Sequence, residues 1–307
     1  MQVDALKLTE GRRERYGTRI NADQRGFLLN LHEKSALIRV YPRPILFLVG
    51  LFDSVLRPIW TANHKVGLIL SWMLLAFAFS GCGQPEVQPF ALAATPWQAG
   101  ETTVYQVTDS NGAAAGTAHY TLTVAAGENS PESWTIQRQI VAQGTTEVVV
   151  VVVSQNGLRP QSSLLTRINK DGQQVVQSTY GSDGVDTVLT SVQNITTYDH
   201  FNVPSDALDV DTVLQVVRAL PLAEGYATRL NSFGTTTGRV ERVTVQVIQQ
   251  EQITTPAGDF ATWQVALETP TTKTSAWIGR DDARPLVKYV DGRNGGTFVL
   301  SEYTAGQ

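Results

Sequence analysis

The chain has 307 residues, with 24 Lys or Arg against 28 Asp or Glu, a formal net charge of −4 and a single cysteine. The charge is unevenly placed: residues 1–65 carry eleven basic and six acidic side chains, whereas residues 82–307 carry thirteen and twenty-two, a net of −9. That acidic balance argues against a nucleic-acid-binding surface, which needs concentrated positive charge, and a lone cysteine argues against a disulfide-stapled domain.

Residues 1–65 read as an N-terminal extension. Their apolar run at 44–52, PILFLVGLF, is interrupted by Asp53 and Arg57 and cannot span a bilayer unaided. Either translation begins nearer position 66, at Val55 or Leu56, and much of the extension is never made, or this is a cytoplasmic extension with an amphipathic interfacial segment. The stretch 66–84, VGLILSWMLLAFAFSGCGQ, has a basic flank at His64 and Lys65, an uncharged apolar core to Phe79, and then Ser80-Gly81-Cys82. On these residues it resembles a bacterial lipoprotein signal peptide, with Phe79 where that motif usually has an aliphatic residue. The alternatives are an uncleaved anchor and a buried core helix; the core is short of the ~20 apolar residues of a spanning helix and is apolar on every face. The resemblance implies that 66–81 is cleaved off, that Cys82 carries a diacylglycerol thioether and an acylated N-terminus, and that the membrane is a partner through this lipid. It also implies export to the outer leaflet of the cell membrane or, since Gly83 and not Asp follows the cysteine, to the outer membrane of a double-membrane bacterium.

After Cys82, residues 83–100 are rich in Gln, Pro and Ala with little periodicity, and read as a flexible tether. The remainder, 101–305, is long enough for one domain with a sizeable core and is dominated by strand signals. Segments 103–108 and 118–124 cluster β-branched and aromatic residues around the hairpin cue Asn111-Gly112. Segments 134–142 and 147–154 follow, the latter with six consecutive valines at 148–153, which suits an interior strand buried on both faces. Asn156-Gly157 closes that strand, and Asp171-Gly172 turns 164–169 back onto 173–180.

One helix is predicted over 206–220: Ser205 and Asp206 cap it, Asp209 and Asp211 sit in its first turns, Val210, Val213, Leu214 and Val217 recur at helical spacing, and Pro221 ends it. Its stripe serves as a lid or packs on the sheet. A strand meander follows, at 239–249, 262–267, 274–279, 284–289 and 296–303, with Thr255-Pro256-Ala257-Gly258-Asp259-Phe260 placed for a tight turn. The succession of helix, Pro221-Leu222 with Gly225, strand, this turn motif, Trp277-Ile278 and Arg284-Pro285-Leu286-Val287-Lys288 resembles the exported bacterial domain of unknown function 3108. More distantly it is similar to lipoprotein-carrier lipoproteins, whose fold is an incomplete antiparallel barrel closed by helices. The expected fold is therefore mainly β, a single curved antiparallel sheet or incomplete barrel with one helix packed across a face.

The carrier resemblance implies an apolar cavity, for which Tyr105, Trp134, Trp263 and Trp277 are the candidate lining residues, each also explicable as ordinary core. Catalytic constellations are thin. His119 and His200 lie far apart without cysteine or clustered carboxylates, Gly181-Ser182-Asp183-Gly184 lacks the spacing of a nucleophile elbow, and no phosphate loop is present. Asp281-Asp282 point opposite ways on an extended chain, and Asp206, Asp209 and Asp211 are explained by helix N-terminal charge without calcium. No catalytic residue, cofactor or metal ligand is assigned, and the ligand-binding residues are left unassigned. Two functions remain: a membrane-anchored envelope lipoprotein with a non-catalytic structural or protein-interaction role, or a carrier for a lipid or other amphipathic ligand.

Overall fold

The computed structural model describes residues 86–127 and 130–307. The expectations for 1–65, the signal peptide and Cys82 lie outside the described residues. In chain order the elements begin with β1 (Val87–Gln88), β2 (Glu101–Thr108), β3 (Ala114–Gly127), β4 (Ser130–Ala142), β5 (Thr145–Ser154), β6 (Pro160–Asn169), β7 (Gly172–Tyr180), β8 (Val185–Thr190) and β9 (Thr196–Phe201). Then come β10 (Leu208–Asp209), a 3₁₀ turn (Val210–Thr212), helix α1 (Val213–Arg218), β11 (Ala227–Gly234), β12 (Arg239–Thr255), β13 (Gly258–Glu268), β14 (Lys273–Gly279), β15 (Leu286–Val290) and β16 (Thr297–Thr304).

All sixteen strands join one curved, unclosed sheet, ordered β1-β11-β12-β13-β14-β15-β16-β2-β3-β4-β5-β6-β7-β8-β9, with β10 also on β11. Neighbours are antiparallel except β1 and β10, which pair parallel to β11 at Val87↔Ala227 and Leu208↔Ser232. The predicted turns form by local chemistry. Asp109 Oδ1 accepts from the Asn111 and Ala113 N–H groups while Gly112 supplies φ +82, a conformation that would strain a side chain.

Alternation decides what faces inward. On β2, Glu101, Thr103, Tyr105 and Val107 are buried; on β5, Val149, Val151 and Val153 are buried while Val148, Val150 and Val152 are only half-buried. The valine strand is thus interior to the sheet, between β4 and β6, but it is not buried on both faces as its composition suggested. A curled sheet has one dry concave face, and the convex side is covered only by neighbouring side chains.

At the two ends of the curl, β11 and β9 meet through side chains instead of hydrogen bonds. Phe233 of β11 is fully buried beside Phe201 of β9, ring centroids 5.6 Å apart, and beside Tyr180 of β7 at 6.3 Å. Val185, Ala207 and Val203 complete the seam. Gly238 permits it, since a Cβ there would stand 2.3 Å from the Phe201 ring.

Two further expectations are corrected. The helix is six residues long, not 206–220, and is buried nearly all round: Val213, Gln215, Val216, Val217 and Arg218 are all inside. Its polar side is buried because Arg218 finds a carboxylate partner there. Asp209 caps the preceding 3₁₀ turn, its carboxylate accepting from the Asp211 N–H at 2.9 Å, while the N-cap of α1, Thr212, makes no side-chain capping bond and Asp206 accepts from the Asn231 side chain. The described part of the expected tether is also seated on the domain. Phe90 and Leu92 pack against the core, Trp97 is 3% exposed, and the Ala93 N–H donates to the Ala219 carbonyl at 2.7 Å. Its Gln, Pro and Ala content hid three apolar anchors at spacings that fit no regular element.

Candidate functional site

Helix α1 lies inside the curl, because its segment touches strands spread along the whole sheet: Tyr180 of β7 donates to Asp209, Arg138 of β4 pairs with Asp211, and Arg218 pairs with Glu101 of β2. Its apolar residues join one continuous core with the inner faces of strands from β2 to β7 and from β11 to β16. Two polar clusters hold it there.

The first is built on Arg218. Glu101 stands on the inward parity of β2, and Arg218 reaches it from α1 with both side chains almost fully buried, 1% and 2% exposed. Nη1 donates to Glu101 Oε1 and Gln215 Oε1, each at 2.7 Å; Nη2 donates to Glu101 Oε2 at 3.0 Å and the Ala283 carbonyl at 2.9 Å; Nε donates to the Arg284 carbonyl at 2.7 Å. All five guanidinium protons are thereby used. The Trp97 ring lies 5.2 Å from the guanidinium, and the Tyr303 hydroxyl donates to Glu101 while burial pushes its own pKa up to about 12. Arg284 reciprocates, donating to the Leu220 carbonyl at 2.6 Å beyond the C-terminal end of α1. The Arg284-Pro285 motif is therefore a helix clamp, held by Asp281 through its Oδ1 bond to the Arg284 N–H at 2.8 Å.

The second cluster spans β4, β5, β6 and the 3₁₀ turn. Arg138 Nη2 lies 2.7 Å from Glu147 and 2.8 Å from Asp211, and Arg167 binds the other Glu147 oxygen. Burial opposes the Arg138 charge, but Asp211, Tyr120 and Glu147 outweigh it and hold the guanidinium more firmly protonated. Burial likewise opposes the Glu147 charge, and Arg138 and Arg167 overcome it, leaving this carboxyl below its ordinary range. Asp209 differs: burial, then repulsion from Asp211, raises it to about 6 against the opposing Tyr180 hydrogen bond of 2.6 Å. Burial and Asp209 together push Tyr180 far above an ordinary phenol. Arg138 Nε is buried without a partner.

The sequence candidates distribute differently. Tyr105 is core, its hydroxyl donating to the Leu286 carbonyl at 2.8 Å, and Trp134 packs edge-on to Trp97 at 6.1 Å. Trp277 lies between the core residues Ala276 and Ile278 and so faces the convex side, where its indole donates to Glu251 at 2.7 Å and Lys288 sits 4.5 Å from its ring. Trp263 is half-buried under Arg280, 4.8 Å away. The four therefore do not line one surface. His119 and His200 are exposed on different strands, His200 paired with Asp186 at 2.8 Å, and the 181–184 segment is the β7–β8 turn, closed by Gly181 N–H to the Gly184 carbonyl at 2.8 Å. Among the described residues no group of three or more His, Cys, Asp or Glu could hold a metal ion, and no helix is long and apolar enough to cross a membrane.

Arg218, Glu101, Arg138 and Glu147 escaped the sequence reading. For the three on strands the signal is parity: Arg138 follows Trp134 and Ile136 by twos, Glu147 precedes Val149 and Val151, and Glu101 precedes Thr103 and Tyr105, each on the buried face. Charge-balanced and hydrogen-bonded, these groups fasten the helix into the sheet. They offer no nucleophile and base in hydrogen-bonded sequence.

No curated protein matches the chain. Among solved structures it is similar to a beta-barrel-like protein of the domain of unknown function DUF1849 from Brucella abortus, at 9% identity over 68% of this chain and 98% of that one, TM-score 0.43. A protein from Bacteroides fragilis described as exported, with a YmcC-like fold, matches at 14% identity over 70% of this chain and 100% of that one, TM-score 0.27. One from Parabacteroides distasonis described as a lipoprotein matches at 13% identity over 69% and 99%, TM-score 0.27. The family model for the protein of unknown function DUF3108 matches residues 102–300, and the chain belongs to that family.

Proposed function

We propose that this protein is an exported lipoprotein of the bacterial envelope, anchored through Cys82, whose barrel is non-catalytic and acts as a structural or protein-interaction module through its outer surface. The observation that carries the reading is the occupied interior: α1 and its clamp sit on the concave side, where a carrier would seat its guest. Fastening a helix there by Arg218, with every proton bonded and a carboxylate buried beside it, makes withdrawal costly, because a freed Glu101 or Arg218 would be left as an unpaired buried charge. Anchoring is supported by the sequence that ends at Cys82.

Native mass spectrometry of protein extracted gently from its own membranes tests both parts. The expected species begins at Cys82, carries its acyl groups and holds no further lipid; a Cys82→Ser variant loses the acyl mass and membrane retention. A stoichiometric lipid beyond the Cys82 acyl groups would replace this reading with a carrier function.

A further inference from the structure

We propose that the segment leading into β2 is a membrane seat: the face of the barrel crossed by residues 87–96 lies on the neutral lipid surface that holds the Cys82 anchor, fixing the barrel's orientation. The inference rests on the anchoring read for Cys82 and goes beyond it.

Around β2 the strand directions place the turns at 98–100 and 280–285 at one mouth of the curl, beside Glu101, and those at 109–113 and 291–296 at the other, beside Thr108. The strap enters beside the start of β11 through Val87↔Ala227, passes the end of α1 through Ala93 and Ala219, and reaches β2 at Glu101, all at the first mouth. Its inward side chains, Phe90, Leu92 and Trp97, hold it to the core. Its outward ones, Val87, Pro89, Ala91, Ala93 and Ala94, are exposed and uncharged. Residues 87–100 contain no charged side chain, in a mature chain of net charge −9. Val87 is 39% exposed, and two strands along the sheet, past β11, the β12 bulge presents Ile248, 47% exposed.

The chain outside the described residues sets the occupant. Gly83, Gln84 and Pro85 separate Cys82 from Glu86. Four fully extended steps span about 14 Å, half the ~27 Å length of an eight-residue strand such as β11. A lipid on Cys82 thus holds the strap at the bilayer, where effective concentration is high and a modest apolar face suffices for contact. The exposed pair Asp281 and Asp282 on the clamp turn of the same mouth disfavours anionic headgroups, so the surface is zwitterionic.

The test uses the full lipidated protein in phosphatidylcholine vesicles, with Ala91→Cys, Ile248→Cys or, at the opposite mouth, Asn111→Cys carrying a fluorescent label and a nitroxide on the lipid headgroups as quencher. Quenching at positions 91 and 248 is expected to exceed that at 111 by about threefold. Equal quenching at all three positions overturns the seat. Inserting a Gly-Ser linker of about twenty residues after Pro85 leaves the quenching at 91 in place if the strap itself binds, and a fall to the level at 111 overturns the proposal. The protein without introduced cysteines separates the two ideas: no label uptake confirms a blocked Cys82, whereas uptake removes the anchoring on which the seat rests.

Discussion

The two polar clusters that fasten α1 obey different rules. Around Arg218 the charges are almost fully buried, every guanidinium proton is bonded, and two backbone carbonyls of a tight turn share the load. Around Arg138 the partners are side chains on three different elements, Arg167 is 41% exposed, one buried Nε has no partner, and the pKa of the neighbouring Asp209 is raised to about 6. A fully satisfied buried pair fixes one geometry, whereas a partly satisfied network responds to protonation. The first is a clamp on the fold; the second is where solution pH reaches the plug.

The clamp carries the largest effect. Arg218→Met strands Glu101 in the core and should cost about 3–5 kcal/mol in denaturant unfolding, while adding Glu101→Leu should restore much of that loss. Equal destabilisation by the single and double variants would show that the pair is not the clamp. Arg284 comes next: it loses its bond to the Leu220 carbonyl when truncated, and it also holds φ +44. Arg284→Ala should cost about 2 kcal/mol, and Arg284→Gly about 1 kcal/mol less, because glycine adopts that φ without strain.

At the second cluster the effect is a slope. Asp209 titrates near 6 when folded against an ordinary 3.8, so between those values the folded state binds more protons and stability falls as pH rises. Asp209→Asn keeps the Oδ1 acceptor for Asp211, lets the amide donate to Tyr180, and should flatten stability across that window. Glu147 has the opposite sign: its folded value is depressed, so its contribution is present above its ordinary value near 4.5 and is lost as pH falls through the folded one. Acid unfolding monitored with and without Glu147→Gln separates the two. The smallest effect belongs to His200, whose pairing with Asp186 raises its pKa on an exposed surface; His200→Gln should leave Tm unchanged.

Much of the wall was legible in the sequence and most of the interior was not. Asn111-Gly112 and Asp171-Gly172 mark hairpins because their chemistry is local, and the β-branched runs place strands wherever they alternate. The valine run hid its own period, since six identical residues cannot say which three face inward. The helix was placed but overextended: Ser205 and Asp206 look like caps in a linear reading, and only pairing of Leu208–Asp209 with β11 decides that the strand continues to Asp209. Arg218 meets Glu101 across 117 positions of chain, a contact no local pattern encodes. The strap failed for a related reason, because Trp97 is buried against Trp134 and Arg218, residues far from it in sequence.

Whether α1 is a fixed plug or a movable lid is decided by amide hydrogen exchange of Val213–Arg218 in the intact protein. A fixed plug exchanges these amides only with global unfolding, matching the slowest amides of β5 and β14 and losing that protection together with them in Arg218→Met. Exchange at Val213–Arg218 through a local opening well below the global unfolding free energy, with β5 still protected, would contradict it.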